Sequence, residues 1–500
     1  MFIQRMSAFS VTKNCVWRER MKKAEESKIK FGTDGWRGLI AEDFTFENVR
    51  IVAQACADYF NKEFKAPRRI IVGYDTRFIS DKFAQAVAEV LAANGIKTYL
   101  SDRPSPTPTT SYNIRLLGLN GGLIITASHN PGRFSGLKIK TPFGSPADQT
   151  VTHKVEAFLY KNKVRTISLE EAVKTKKIEI INPMPKYLDA VRKYLDLDLL
   201  KNCELKVAAE AMHGAGNSYH AAVLKGTKVK IDIINAKPDP SFEGLKPEPL
   251  PHNMPKLMEI MKKGKYDIGL ATDGDADRVG AVAPGGRFIT PGEIMCLIAL
   301  HFIENRRWRG ALVKNIAGPM LMNKIAKHYN LKFFETPVGF KHIAKLMQRE
   351  NVLVGGEESG GIGVKNYIPE RDGILTGLLL VEMMQQEKKP ILALIKDMEK
   401  RFGKFRYHRQ DVEIPLKTRE KVVKGLFAKL QGKGAGKIFK RKITGIKTYD
   451  GLKFIFDDES WLLIRPSGTE PILRVYSEAH TDKEAKDVIA IVHRISKTIK

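Results

Sequence analysis

At 500 residues the chain is too long for one hydrophobic core and fits about three or four domains of ordinary size. Apolar residues at 43% and charged residues at 28%, with 40 Gly and 24 Pro, match a globular norm and exclude disordered, collagenous and coiled-coil classes. The net charge of +28 favours anionic ligands; no run of like charge stands apart as an arm or tail, so it reads as a basic solvated surface and not as a specific nucleic-acid site.

Residues 1–26 read as a disordered leader, basic with Glu19 as the one acid before Met21, either a targeting segment or the product of a start upstream of Met21. From Phe46 onward one order of elements occurs three times. The first copy has a helical stretch at 46–60, a strand at 69–74, a helix at 83–94, a strand at 96–100, another helical stretch and a strand at 123–126. The second has a helix at 187–195, strands at 205–209 and 229–234, a helix at 256–262 and a strand at 268–271. The third has a helix at 293–302, a strand at 311–313, a helix at 320–329, a strand at 331–334, a helix at 340–348 and a strand at 352–354. Alternation of this kind predicts three tandem α/β domains with mixed, mostly parallel sheets. Beyond Lys400 the pattern changes to basic alternating strands and a final amphipathic helix, a smaller α+β domain that completes a central cleft. The expected units are 27–178, 179–291, 292–402 and 403–500.

Parallel sheets bind ligands beyond the carboxyl ends of their strands, and there the unusual residues lie. The first copy ends in Thr126-Ala127-Ser128-His129-Asn130-Pro131, the second in Thr272-Asp273-Gly274-Asp275-Ala276-Asp277-Arg278, and the third in Gly355-Gly356-Glu357-Glu358-Ser359-Gly360-Gly361. Asp273, Asp275 and Asp277 can converge on one point, where only a hard cation such as Mg²⁺ would relieve their repulsion; an EF-hand fails because Arg278 replaces its glycine and Pro284 its last ligand. Ser128 is either a nucleophile or phosphoryl carrier, or a capping residue ahead of a helix; Ala127 and Asn130 exclude a hydrolase elbow. Glu357 and Ser359 suit the vicinal hydroxyls of a sugar, or else open a helix with acids in its first turn. Arg465, Ser467, Gly468 and Thr469 form a phosphate cradle or an ordinary turn.

Cys15, Cys56, Cys203 and Cys296 show no ligand spacing and read as reduced thiols of a cytoplasmic protein. The longest apolar stretches, 294–303 and 374–381, are too short to span a bilayer, so no membrane partner is expected. Lys433-Gly434-Ala435-Gly436-Lys437 lacks the flanking residues of a nucleotide P-loop, Gln431 and Ile438 standing in their places.

Together with Phe31-Gly32-Thr33-Asp34-Gly35-Trp36-Arg37-Gly38, these loops in this order resemble the α-D-phosphohexomutase superfamily, from Ile29 to the C-terminus. The resemblance implies a heart-shaped, four-domain enzyme, monomeric or homodimeric, that acts on hexose phosphates with Mg²⁺ and a glucose 1,6-bisphosphate intermediate. It implies that Ser128 carries the phosphoryl group and, with Asp273, Asp275 and Asp277, holds the metal. It implies Arg37 and Arg278 as charge stabilisers, Lys138 as general base with His129 in support, and Glu357, Ser359, Gly339, Lys341 and Lys314 as sugar contacts. Arg465, Ser467, Gly468 and Thr469 would then hold the non-reacting phosphate. Ser135-Gly136, Tyr367 and Ala317-Gly318-Pro319 depart from the usual pattern and bear on sugar choice. The expected substrates are glucose 1- and 6-phosphate; mannose phosphates, or dual specificity, are the near alternative. A non-catalytic phosphosugar-binding protein is the reading from another class.

Overall fold

The computed structural model describes residues 29–32, 35–413, 419–431, 435–466 and 472–498; the leader and Cys15 lie outside them. The first sheet contains β1 (Gly35–Leu39), β2 (Arg69–Tyr74), β3 (Lys97–Ser101), β4 (Gly121–Ile125), β5 (Phe134–Lys140) and β6 (Ile178–Ile181), in the order β1-β5-β4-β2-β3-β6. Because β6 pairs with β3, the first unit runs to Ile181, past the expected boundary at 178. The second sheet contains β7 (Lys206–Glu210), β8 (Lys230–Ile234), β9 (Ile268–Thr272), β10 (Val279–Ala283) and β11 (Arg287–Ile289), ordered β11-β10-β9-β7-β8. The third contains β12 (Ala311–Asn315), β13 (Phe333–Thr336), β14 (Val352–Gly356) and β15 (Ile362–Val364), ordered β13-β12-β14-β15.

One motif underlies all three. Three parallel strands are followed by a strand that returns antiparallel beside the last of them: β5 beside β4, β10 beside β9, β15 beside β14. The three loops singled out from sequence are therefore the connections into these return strands. No helix follows Ser128 or Glu357 within its loop, so neither the capping reading nor the acidic helix-start reading holds.

The fourth sheet is antiparallel throughout, β16 (Arg406–Glu413), β17 (Ile443–Lys447), β18 (Leu452–Phe456), β19 (Trp461–Pro466) and β20 (Ile472–Ala479), ordered β16-β20-β19-β18-β17. The helices Arg419–Gln431 and Asp482–Thr498 supply part of its core, through Val422, Leu426 and Leu430 and through Val488, Ile489 and Val492. It docks on the third domain through Trp461, Leu463 and Tyr476 against Ile316 and Ala317.

The first and fourth domains have cores of their own, whereas the second and third share one. The cause is visible in two helices, Pro291–Leu300 and Gly373–Glu387, which carry apolar residues on every face and are buried between the two sheets. Their shared core encloses Glu382, 2% exposed, which accepts from Arg306 Nη2 at 2.6 Å and the Asp196 N–H at 2.9 Å and pairs with His301 Nε2 at 2.9 Å. Arg306 lies over the rings of Tyr194, Phe302 and Trp308. Glu382→Ala leaves that guanidinium without its counter-ion and is expected to cost about 3–5 kcal/mol, read as a lower urea midpoint at unchanged slope, with Glu382→Gln losing less. Among the described residues no helix is long and apolar enough to cross a membrane.

Candidate active site

Ser128 follows β4 in a left-handed backbone conformation, φ 54°, which is uncommon for a residue other than glycine and concentrates at functional loops. Its N–H donates to Thr126 Oγ1 at 2.9 Å. Its loop is held from beneath by Arg77, 2% exposed, whose guanidinium donates to the carbonyls of Ser128 (2.7 Å), Asn130 (2.6 Å), Pro131 (2.9 Å) and Phe134 (2.9 Å), while Nε pairs with buried Asp75 at 3.1 Å. Arg37 Nη1 donates to Asn130 Oδ1 at 2.6 Å, which sets Arg37 against the serine loop.

The loop between β9 and β10 brings Asp273, Asp275 and Asp277 together, all fully buried, with one oxygen of each within 4.8 Å of the others. Gly274 makes the approach possible: a Cβ there would lie 2.6 Å from the Ser128 carbonyl oxygen. Ser128 Oγ donates to Asp273 Oδ2 at 2.9 Å, and the Arg278 N–H donates to Asp273 Oδ1 at 3.0 Å. Burial, then repulsion from Asp277 and Asp275, pushes Asp273 well above the usual carboxylate range. Burial acts the same way on Asp275, but Lys138 and the Thr107 hydroxyl outweigh it and hold Asp275 low. Asp275 Oδ1 and Asp277 Oδ1 are buried with no hydrogen-bond partner. An all-oxygen donor set with two unsatisfied lone-pair sites, aimed at one point beside a serine hydroxyl, fits Mg²⁺.

Lys138, on β5, expected as the general base, donates from Nζ to Asp275 Oδ2 at 2.7 Å and to Asp277 Oδ2 at 3.0 Å, which makes it a counter-ion to the carboxylate cluster in this geometry. His129, beside Ser128, is different. Burial, then the positive charges of Arg278 and Arg37, pushes its imidazole well below the usual histidine value, and its Nδ1 is buried without a partner.

The charges continue across three domains. Arg371 Nη2 reaches Asp277 Oδ2 at 2.7 Å, Arg371 Nε reaches Glu370 Oε1 at 3.3 Å, and Glu370 pairs with buried Lys140 of β5. Arg371 also lies 3.9 Å from Glu357. Asp75, Arg77, Thr107 and Arg371 were not identified from sequence; Asp75-Thr76-Arg77 follows β2, where a search of every parallel strand end, and not only the last of each copy, would have found it.

Glu357 accepts the Gly339 N–H at 2.9 Å, and burial, opposed by Arg371, raises its pKa above the ordinary glutamate value. Ser359 is half-buried beyond it in the same loop. Gly339, φ 123°, lies just before the helix Phe340–Arg349, whose first turn buries Lys341. Lys314, expected as a sugar contact, turns its amine into its own loop, donating to the Gly318 and Pro319 carbonyls at 3.1 and 3.0 Å with Glu335 at 3.8 Å, because a buried ammonium requires such partners. Tyr367 also turns away, stacking on Tyr112 and donating to Asp372 Oδ2 at 3.1 Å. Arg465 Nε donates to Asp450 Oδ1 at 2.8 Å; Ser467, Gly468 and Thr469, like Thr33 and Asp34, lie outside the described residues.

With this geometry in place, comparison with known proteins is decisive. The profiles for phosphoglucomutase/phosphomannomutase α/β/α domains I, II and III match residues 28–165, 185–286 and 290–402, and that for the C-terminal domain matches 386–494. The chain belongs to the phosphoglucomutase/phosphomannomutase family. A phosphoglucomutase/phosphomannomutase of Thermococcus kodakarensis is 30% identical over 92% of this chain and 97% of its own. A phosphoglucosamine/phosphogalactosamine mutase of Sulfurisphaera tokodaii is 29% identical over 93% and 98%. The crystal structure of a phosphomannomutase-family protein from Thermus thermophilus superposes with a TM-score of 0.82 at 31% identity, covering 94% and 99%. The protein is thus a phosphohexomutase, an intramolecular phosphotransferase, which removes the non-catalytic reading.

Proposed function

We propose that this phosphohexomutase is Mg²⁺-dependent and interconverts glucose 1-phosphate and glucose 6-phosphate through a phosphoserine at Ser128 and a glucose 1,6-bisphosphate intermediate. The observation that carries the reading is the Ser128 hydroxyl 2.9 Å from Asp273 inside the buried carboxylate cluster. In the forward half-reaction the Oγ–P bond of phosphoserine breaks as a bond forms from phosphorus to the sugar hydroxyl oxygen, and the hydroxyl proton leaves. In the second half the other phosphate returns to Ser128. Mg²⁺ held by Asp273, Asp275, Asp277 and the phosphorylated Ser128 would neutralise charge on the transferring oxygens. Arg37 and Arg278 supply further positive charge from the chain itself. Lys138, at the carboxylate cluster, and His129, beside Ser128, are the candidate acceptors of the hydroxyl proton. Glu357 and Ser359 would hold the sugar hydroxyls, with the turn at Gly339 and Lys341 beside them, and Arg465, Ser467, Gly468 and Thr469 the distal phosphate.

The functional units follow the expected 27–178, 179–291, 292–402 and 403–500, with the first carried on to Ile181 by β6, one loop from each, in a cytoplasmic monomer or homodimer. Cys56, Cys203 and Cys296 are buried and unpaired, as suits a reducing compartment. Mannose phosphates are the second reading, favoured by the double name of the Thermococcus relative.

A coupled assay with a trace of glucose 1,6-bisphosphate, comparing the 1-phosphates of glucose, mannose and glucosamine, tests both. Glucose 1-phosphate is expected to give the highest kcat/KM, and chelation of Mg²⁺ is expected to abolish turnover and its re-addition to restore it. Turnover unchanged by chelation removes the metal role, and preference for mannose or glucosamine 1-phosphate replaces the glucose assignment.

A further inference from the structure

The hairpin that joins β17 to β18 reaches from the fourth domain into the third. Lys447 Nζ and Tyr449 Oη both donate to Glu335 Oε1, at 2.7 and 2.6 Å, and Asp450 Oδ2 accepts the Val338 N–H at 2.7 Å. The other oxygen of Asp450 takes Arg465 Nε at 2.8 Å. One carboxylate therefore bridges the arginine of the phosphate loop and the turn of the third domain that precedes the helix Phe340–Arg349. The next N–H along that turn, of Gly339, is the one bound by Glu357. Gly451 sets Asp450 in place: its φ is 97°, and a Cβ there would lie 2.6 Å from the Ile464 carbonyl oxygen, so the chain turns sharply right after the carboxylate. Asp450 and Arg465 are 17% and 20% exposed, which places their contact between a screened surface pair and a buried one.

We propose that Asp450 is a positioning residue for the mutase reaction. It fixes the Arg465 guanidinium by Nε, leaving the Nη edge to meet a phosphate in bidentate fashion, and through the Val338 N–H it holds the fourth domain against the sugar-binding turn. Phosphate capture and sugar capture are thereby joined through a single side chain: Arg465 to Asp450 to the 338–339 turn to Glu357. The proposal rests on Arg465 as the holder of the non-reacting phosphate, and its test separates the two ideas.

Steady-state kinetics of the full chain with Asp450→Asn, Asp450→Ala, Arg465→Ala and the double variant Asp450→Ala/Arg465→Ala supply that test. Asp450→Ala is expected to raise KM for the hexose phosphate about tenfold with kcat within about threefold, since the interaction lost is one of uniform binding. Asp450→Asn keeps one acceptor oxygen and is expected to fall between, with KM up about threefold. The double variant is expected to bind less weakly than the product of the two single effects would give, because the two residues share one contact. Melting temperatures identify any variant that fails to fold, and the near-isosteric Asp450→Asn then carries the test. If Arg465→Ala raises KM and Asp450→Ala does not, or if the two effects simply add, the positioning role is overturned while Arg465 keeps its own. If Arg465→Ala leaves KM unchanged, the phosphate-loop reading itself falls, and with it the role of Asp450.

Discussion

Replacing Ser128 by alanine is expected to abolish turnover, by about 10⁴-fold or more in kcat, while leaving the fold and the binding of glucose 1,6-bisphosphate in place. Ser128 is 2% exposed and, among the described residues, its hydroxyl bonds Asp273 alone, so alanine removes a single hydrogen bond and opens no large cavity. The backbone at φ 54° is as strained for alanine as for serine, so stability changes little on that account. What disappears is the atom to which phosphorus bonds. Intact-mass measurement gives the decisive readout: the parent chain incubated with glucose 1,6-bisphosphate and Mg²⁺ is expected to gain the mass of one phosphoryl group and the variant none. A variant that retains turnover within tenfold of the parent would falsify the phosphoserine route.

The second large effect is expected at Arg77. Arg77→Ala strips the donor from four main-chain carbonyls of the serine loop and leaves Asp75, fully buried, without its counter-ion. Breaking a buried pair from one side costs about 3–5 kcal/mol, and the orphaned carbonyls add to it. Arg77 also lies 4.9 Å from the ring centroid of Phe242 in the second domain, so the loss spreads beyond the loop. Urea denaturation is expected to show the lower midpoint, and activity is expected to fall further than stability alone accounts for, because Ser128 is no longer held against Asp273. Arg77→Lys, which keeps the charge but cannot reach four acceptors in a plane, is expected to recover part of the stability and little of the activity. Equal losses of stability and activity across both variants would assign Arg77 to folding only.

The two predictions differ in how far sequence leads to them. Ser128, the three aspartates and the recurring order of elements are legible because each depends on a pattern within one short segment: an apolar strand that ends in polar residues of unusual type. The return strands are not. Phe134–Lys140 carries Lys138 and Lys140 two residues apart, a spacing that says only that they share one face of a strand; both lysines are buried and paired with carboxylates of the second and third domains. Arg77 and Arg371 each pair with a carboxylate close in sequence, Asp75 and Glu370, but the partners that set them in the site, Ser128 and Asp277, lie about 50 and about 95 residues away, so no spacing announces them. Lys314 shows the opposite error, a strand-end lysine that looks available and is consumed by its own loop. The common core of the second and third domains hides for a related reason: an all-apolar helix signals burial without saying between which two sheets.

Each of the three site loops is closed at both ends by hydrogen-bonded strands, the last parallel one and its antiparallel return. Such a loop surrenders its freedom once, when the chain folds, and has little left to surrender when a sugar phosphate arrives. On the function proposed, three sides of the site are set before the ligand arrives, and the adjustment that admits it falls to the hairpin contacts of the fourth domain.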